Sequence, residues 1–185
     1  MRIIGGTHRG TTLATIGKGD LGAHLRPTTD RVRESLFNVL QGGRFGDPIS
    51  GARVLDLFAG TGALGFEALS RGASHVTFVD SGRAAQRLIR DNIAKLRRQS
   101  ETILLAVDAA RLPAGQPCHL IFMDPPYGQN LGQAALTQAR SQGWIAPDAL
   151  IVWEERSAQV APEGFTGLDQ RRYGDTWVSF LRHDA

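Results

Sequence analysis

The stretch Val54-Leu55-Asp56-Leu57-Phe58-Ala59-Gly60-Thr61-Gly62-Ala63-Leu64-Gly65 decides the fold class. It begins with apolar residues and an acid, continues through closely spaced glycines, and leads into a helical pattern that ends at Gly72. This order predicts a buried strand, a tight turn and a helix, which is the repeating unit of doubly wound α/β sheets. The free N–H groups at the start of that helix, and the close approach that Gly60 and Gly62 permit, favour a nucleotide-like ligand.

Four predicted strands each end in an aspartate, and these residues are Asp56, Asp80, Asp108 and Asp124. Since the carboxyl ends of parallel strands meet at one edge of a sheet, we expect the four carboxylates to line one ligand crevice. Asp80 lies twenty positions after Gly60, the spacing of an acid that accepts from ribose hydroxyls. Asp56 suits a cationic amino group better than a pyrophosphate, and Asp108 suits an adenine amine. The alternative for Asp80 and Asp108 is a solvated loop acid or a helix N-cap.

The segment Asp124-Pro125-Pro126-Tyr127 follows the apolar run His119–Met123 and predicts a stiff turn at the end of a buried strand. Its prolines leave neighbouring backbone carbonyls without a local N–H donor. We expect the Asp124 carboxylate and the Pro125 carbonyl to accept the two hydrogens of an exocyclic amine, while the Tyr127 ring stacks on the base that carries it. A proline-rich turn capped by a packing aromatic is the alternative.

The pairing of D-L-F-A-G-T-G-A-L-G with D-P-P-Y resembles the S-adenosylmethionine-dependent amino-methyltransferases, which methylate exocyclic amines of nucleobases. Three further segments narrow the resemblance to the bacterial 16S ribosomal RNA guanine-N2 methyltransferases of the RsmD type. They are M-R-I-I-G-G-T-H-R-G at residues 1–10, R-P-T-T-D-R-V-R-E-S-L-F-N at 26–38 and R-Y-G-D-T at 172–176. The resemblance extends to Leu181. It implies S-adenosylmethionine as cofactor and a guanine of the small ribosomal subunit as substrate.

The strand-end pattern and the resemblance together assign roles to individual residues. The catalytic candidates are Asp124, Pro125, Pro126 and Tyr127. The cofactor-binding candidates are Asp56, Phe58, Ala59, Gly60, Gly62, Asp80, Ser81, Asp108, Ala109 and Asp124. Arginines concentrate early in the chain, outside the nucleotide-binding strands, and the RNA-binding candidates are Arg2, His8, Arg9, Arg26, Arg31 and Arg33. The alternative for Arg31 and Arg33 is a solvated helix face or contact with the cofactor carboxylate.

The expected fold is a single Rossmann-like α/β domain of class I methyltransferase type, with a mainly parallel seven-stranded sheet and a C-terminal antiparallel hairpin. Later elements are expected as helices over 84–98 and 131–142, a strand over 149–154, and hairpin arms over 170–174 and 176–181. Residues 1–45 form an extension expected to face RNA, made of a hairpin with arms Met1–Ile4 and Thr11–Thr15 and a helix capped by Thr28 or Thr29. Residues 46–185 form the methyltransferase core.

The chain of 185 residues has a net charge of +3 and a pI of about 9.6. Only Lys18 and Lys95 are lysines, so nearly all positive charge is arginine, which binds phosphates and stacks on bases. This composition favours a nucleic-acid partner, here ribosomal RNA or the small ribosomal subunit, although codon bias is an alternative source of the arginines.

Cysteine and histidine patterns argue against several site classes. Cys118 is the only cysteine, so no intrachain disulfide is possible and a reducing cytoplasm is the expected location. The Pro117-Cys118 pair resembles the nucleophile motif of cytosine-C5 methyltransferases, in which the thiol follows the fourth strand. Here that place is occupied by Asp124 to Tyr127, so we interpret Cys118 as a small apolar residue at the start of a strand. The five histidines lack metal-ligand spacing. We expect no metal, no leader or membrane span, and a monomer.

Three other functions remain open from the sequence. A DNA or RNA methyltransferase acting on adenine N6 or cytosine N4 shares both motifs, although there is no room for a large target-recognition insert between Gly65 and Asp124 or after Tyr127. A nicotinamide-dependent oxidoreductase shares the glycine turn and leaves Asp56 unexplained. A non-catalytic RNA-binding factor of ribosome assembly is the third alternative.

Overall fold

The computed structural model describes residues 1–15 and 29–185. Within them the strands are β1 (Arg53–Leu57), β2 (His75–Val79), β3 (Thr102–Leu105), β4 (Cys118–Met123), β5 (Ile145–Glu155), β6 (Phe165–Tyr173) and β7 (Thr176–His183). The α-helices are α1 (Asp30–Gln41), α2 (Ala63–Ser70), α3 (Arg83–Leu96) and α4 (Leu131–Ser141). Short 3-10 turns occur at Gly6–His8, Gln99–Glu101 and Ala109–Arg111.

The described strands form one sheet in the order β3-β2-β1-β4-β5-β7-β6. The first five strands in this order are parallel, whereas β7 is antiparallel to both β5 and β6. The predicted seven-stranded, mainly parallel sheet with a C-terminal hairpin is therefore confirmed. Strands β2 and β3 lie on one side of β1, whereas β4 and the later strands lie on the other, so the strand order reverses between β1 and β4. In open α/β sheets, a ligand crevice lies at such a reversal.

Helices cover both faces of the sheet, and the alternation along β4 shows how. Leu120 and Phe122 pack with residues of α1, α2 and α3, whereas Ile121 and Met123 pack with residues of α4. On the first face the ring centroids of Phe37 and Phe122 lie 5.8 Å apart. Burial on both faces explains why the central strands are continuous apolar runs in the sequence. The packing also fixes the strand ends that carry the candidate site.

Helix α1 begins as the sequence predicts. The Thr29 hydroxyl oxygen accepts from the backbone N–H of Val32 at 3.3 Å, and Asp30 lies in the first turn. Leu36 and Phe37 are buried, as expected for the apolar stripe. The alternative cap, Thr28, lies outside the described residues.

The predicted N-terminal hairpin is present, with a short pairing. Arg2 and Thr12 form an antiparallel bridge, and backbone hydrogen bonds of 2.8–3.1 Å join the two sides of the hairpin around it. The N–H groups of Ile4 and Gly5 donate instead to the Glu67 carboxylate on α2, both at 2.8 Å. The N-terminal segment is therefore paired with its own return arm and also attached to α2.

Candidate active site

The glycine turn after β1 has the conformation that its sequence requires. Phe58, Gly60 and Gly62 have positive φ angles of 58°, 57° and 76°. A side chain at Gly62 would place its Cβ 2.6 Å from the Phe66 ring, so this position requires glycine for space as well as for conformation. The N–H of Gly62 donates to the Ala59 carbonyl at 2.7 Å, which closes the turn immediately before α2.

Asp56 is buried beneath this turn, with 2% of its surface exposed. Its Oδ2 accepts from the backbone N–H of Gly65 at 3.0 Å, which attaches the start of α2 to β1. Burial raises the pKa of Asp56 to about 8, against the opposing effect of the Gly65 hydrogen bond and with a smaller contribution from nearby Asp80. The observed contact is structural, and direct contact of Asp56 with a ligand amine stays a prediction.

Asp80 connects the ends of β1 and β2. Its Oδ2 accepts from the Gly60 N–H at 2.8 Å and its Oδ1 from the Gly82 N–H at 2.7 Å. Burial raises the pKa of Asp80, while the two backbone hydrogen bonds lower it. A carboxylate has about four acceptor positions, so these bonds leave acceptor capacity for a ligand hydroxyl. Ser81, the next candidate, is exposed.

Asp108 lies three positions beyond the end of β3 and is exposed. Its side chain caps the short turn Ala109–Arg111, accepting from the Ala110 N–H at 2.9 Å, while Ala109 is buried. The N-cap alternative is thus observed. The position remains at the same sheet edge as Asp80, because β2 and β3 are paired through Val79 and Leu105.

The Asp124–Tyr127 turn starts at the same level of the sheet as the glycine turn. Leu57 and Met123, the last residues of β1 and β4, are register partners, and the Asp124 N–H points to the Leu57 carbonyl at 3.5 Å. Asp124 is half-buried, Pro125 is buried and Pro126 is exposed. The two turns therefore face each other where the strand order reverses, and this juxtaposition defines the candidate active site.

Two distant residues anchor the aromatic side chain of this turn. The Tyr127 hydroxyl donates to Glu154 Oε1 at 3.1 Å and lies 3.3 Å from the Thr176 hydroxyl. Burial raises the pKa of Tyr127 to about 12, and the nearby carboxylates Glu154 and Asp124 act in the same direction. Tyr127 is therefore a neutral phenol at ordinary pH. The Arg156 guanidinium carbon lies over the ring, 5.6 Å from its centroid.

The sequence reasoning missed Glu154, Thr176 and Arg156 as site residues. Glu154 ends the apolar run of β5, and Thr176 begins β7, so the two lie 27 and 49 positions from Tyr127. One signal was available for Thr176, since it belongs to the R-Y-G-D-T segment that contributes to the family resemblance.

Most of the predicted RNA-binding residues in the described ranges are at the surface. Arg2, Arg9 and Arg31 are exposed, and Arg2 lies 3.8 Å from the Asp30 carboxylate. His8 is partly buried and accepts from Arg98 at 2.9 Å, and desolvation together with the Arg98 charge lowers its pKa. Arg26 lies outside the described residues.

Arg33 corrects the sequence prediction, because its side chain is fully buried instead of facing solvent. Its guanidinium donates to Asp30 Oδ1 at 3.0 Å and to the Arg2 carbonyl, and it lies 3.7 Å from the Glu67 carboxylate. Two arginines neutralise the buried Glu67, because Arg71 Nε donates to its Oε1 at 2.7 Å and Arg33 of α1 lies 3.7 Å from its Oε2. Arg33 therefore holds the N-terminal segment in place and is unavailable for direct contact with RNA.

Comparison with known proteins places these features in a family. The chain matches the model of the family described as "Conserved hypothetical protein 95" over residues 1–182. The chain belongs to this family. It is 35% identical to ribosomal RNA small subunit methyltransferase D of Haemophilus influenzae, over 94% of this chain and 89% of that protein. It is 39% identical to the Escherichia coli protein of the same name, over 88% of this chain and 78% of that protein.

The solved structures agree with the sequence relatives. A putative methyltransferase, yhhF from Escherichia coli, superposes with a TM-score of 0.84 at 34% identity, covering 100% of this chain and 98% of that one. The putative methylase HI0767 from Haemophilus influenzae superposes with a TM-score of 0.77 at 31% identity, covering 100% and 98%. The family resemblance predicted from the sequence is confirmed. The chain is a methyltransferase of the class I fold, and S-adenosylmethionine is its cofactor.

The chemistry of the crevice fits this cofactor. Carboxylates flank the glycine turn along the edge formed by β3, β2, β1 and β4. The partly buried Asp80 and the exposed Asp108 both provide hydrogen-bond acceptors there. Such acceptors match a ligand that brings hydroxyl and amine donors. Among the described residues, no group of three or more His, Cys, Asp or Glu side chains is arranged to hold a metal ion. In the same part of the chain, no helix has the length and hydropathy needed to cross a membrane.

Proposed function

We propose that this protein transfers the methyl group of S-adenosylmethionine to the exocyclic N2 amine of a guanine in small-subunit ribosomal RNA. The observation that carries the proposal is that the glycine turn and the Asp124–Tyr127 turn follow register-paired residues of β1 and β4. The two turns therefore lie side by side at the same edge of the sheet. A cofactor in the glycine turn and a base at Asp124 would then be neighbours. The relatives named ribosomal RNA small subunit methyltransferase D support the choice of substrate.

The cofactor site in this proposal follows the edge from β3 to β4. Asp80 accepts from the ribose hydroxyls while retaining its bonds to Gly60 and Gly82. Asp108 accepts from the adenine amine, and Asp56 acts on the amino-acid end of the cofactor. The remaining contacts come from the turn and from neighbouring backbone, namely Phe58, Ala59, Gly62, Ser81, Ala109 and Asp124.

The catalytic role of the chain is to hold a poor nucleophile in the reactive geometry. The lone pair of guanine N2 is delocalised into the ring, so the amine attacks poorly unless its hydrogens are held by acceptors that favour a pyramidal nitrogen. The Asp124 carboxylate and the Pro125 carbonyl accept these two hydrogens. When bound, the cofactor supplies an electrophilic methyl group, so in-line alignment is the main requirement. After transfer, the nitrogen is cationic and Asp124 takes up its proton.

The base reaches this position only when it is unstacked from its neighbours. Unstacking costs a few kcal/mol, and stacking on an aromatic ring returns about 1–3 kcal/mol. The Tyr127 ring supplies that surface, and its hydroxyl bonds to Glu154 and Thr176 hold the far end of the ring in position. A loop nucleotide that is already splayed from its stack is therefore the expected substrate.

We assign initial RNA contacts to the exposed arginines Arg2, Arg9 and Arg31, with Arg26 in the sequence between them. Arg2 and Arg9 lie on the segment that Glu67 attaches to α2, and Arg31 lies on α1, next to the Asp30 carboxylate that is 3.8 Å from Arg2. Arginine binds phosphates in a bidentate manner, so the segment orients RNA without reading its sequence.

The test is a methyl-transfer assay with labelled S-adenosylmethionine on small-subunit RNA and on assembled small-subunit particles, followed by mass mapping of the modified nucleoside. N2-methylguanosine at one position is the expected product. Methylation at adenine N6 or cytosine N4 would instead assign the protein to one of the alternative substrate classes. Tight cofactor binding without turnover on any RNA would favour a non-catalytic assembly factor, and preferential binding of NAD would favour an oxidoreductase.

A further inference from the structure

Arg156 lies at the one aromatic surface that the proposed reaction requires. It follows β5 directly, is exposed, and places its guanidinium over the Tyr127 ring at 5.6 Å from the centroid. A planar cation over an aromatic face gains only modest energy at an exposed site. Its position covers a face on which a base would otherwise stack.

The ring cannot easily swing away from Arg156. The Tyr127 hydroxyl is held by Glu154 Oε1 at 3.1 Å and by Thr176 at 3.3 Å, and Glu154 is only 8% exposed. These contacts anchor the far end of the ring to β5 and β7 at once. The position of the ring is therefore held, while Arg156 is a long, exposed side chain that can move.

The Arg156 guanidinium is not in closest contact with the ring centre. Direct van der Waals contact places carbon atoms about 3.5–4 Å apart, so a base inserted between ring and guanidinium requires planes about 7 Å apart. The guanidinium carbon lies 5.6 Å from the ring centroid, a distance that includes any sideways offset. A purine would therefore enter only after the exposed Arg156 side chain moves outward, while the Tyr127 hydroxyl keeps its anchors.

We propose that Arg156 is a specificity-determining residue that closes over the target base, so that the unstacked guanine is held between the Tyr127 ring and the Arg156 guanidinium. This inference rests on the proposed function, and it adds a second contact surface for the base. Arginine suits the role because its guanidinium is planar, permanently charged and able to stack on an aromatic face. Lysine offers the same charge without the plane.

The test compares four proteins: the wild type, Arg156→Ala, Arg156→Lys and the control Arg182→Ala. Arg182 is also an exposed arginine, but it pairs with Leu150, in the middle of β5 and six positions before Arg156. At about 3.3 Å per residue, this places it roughly 15–20 Å from Arg156. Steady-state methylation of small-subunit RNA gives kcat and KM, and calorimetry gives the S-adenosylmethionine affinity.

Arg156→Ala should raise the KM for RNA by about 5- to 150-fold, which is the range for loss of one stacking contact, with cofactor affinity unchanged. Arg156→Lys should remain close to the Ala variant, and Arg182→Ala should behave as the wild type. An Arg156→Ala variant with wild-type KM would overturn the inference, as would full rescue by lysine or an equal loss in Arg182→Ala, since either would indicate charge alone. Wild-type protein without activity on any RNA would instead contradict the proposed function.

Discussion

The anchoring of Tyr127 makes the single-atom change Tyr127→Phe informative. The substitution keeps the ring for stacking but removes the donor to Glu154 Oε1 at 3.1 Å and the partner of Thr176 at 3.3 Å. Because Glu154 is 8% exposed, little water can replace the lost donor. Losing this hydrogen bond to a carboxylate costs about 1–3 kcal/mol. For a chain of this length, each kcal/mol lowers the melting temperature by about 2–4 °C, so the expected decrease is roughly 2–12 °C.

Thermal unfolding followed by circular dichroism measures this decrease, and the methylation assay shows whether the loosened turn also lowers kcat. Tyr173→Phe is the comparison variant, because it makes the same chemical change on β6 at a hydroxyl that bonds to Arg171 instead of Glu154. The pH profile of the wild type should show no ionisation from Tyr127 below about pH 10, since its pKa is raised to about 12. A Tyr127→Phe variant with wild-type melting temperature and wild-type kcat would refute the anchoring role.

Asp80→Ala should weaken S-adenosylmethionine binding, measured by calorimetry, more than Asp80→Asn does. The reason is that the amide of the Asn variant still accepts from one of the N–H groups of Gly60 and Gly82. Equal affinities for the wild type and both variants would count against the ribose assignment. The free energy of unfolding of the cofactor-free protein should fall between about pH 4 and pH 8, and Asp56→Asn should make that fall smaller. Burial raises the folded-state pKa of Asp56 from 3.8 to about 8, so the folded chain retains a proton that the unfolded chain has lost, and stability falls as pH rises through this window. Unfolding curves across pH that have the same slope for both proteins would contradict that account. Arg9→Ala should weaken RNA binding and reduce its dependence on salt concentration by about one unit of slope while leaving cofactor affinity unchanged, and the reverse pattern would mean that the N-terminal segment contacts the cofactor.

Local sequence was sufficient to predict the sheet edge and the turns that form the site. The glycines after Asp56 require positive φ or close packing, and the prolines after Asp124 stiffen a turn, so each motif determines its own conformation. Apolar runs buried on both faces then indicate parallel strands, which bring the motifs to one edge.

What the sequence did not show depends on contacts between distant segments. Arg33 was expected in solvent because helical periodicity cannot reveal Glu67, the buried acid on α2 that lies 3.7 Å away. The N-terminal arms pair as expected, but the sequence did not show that the same acid would also accept from the N–H groups of Ile4 and Gly5. Glu154 was expected only as the end of a strand. Its bond to Tyr127 depends on the packing of β5 beside β4, which no local pattern encodes.

The central claim is that Asp124 acts by holding the target amine, and single-turnover methyl transfer by Asp124→Ala and Asp124→Asn tests it most directly. Excess enzyme with labelled S-adenosylmethionine and small-subunit RNA or particles isolates the chemical step from product release. The account predicts that Asp124→Ala nearly abolishes transfer while retaining the fold and most of its cofactor affinity, and that Asp124→Asn lies between it and the wild type because the amide oxygen still accepts one hydrogen bond. An Asp124→Ala variant that transfers methyl groups at the wild-type rate would contradict the claim.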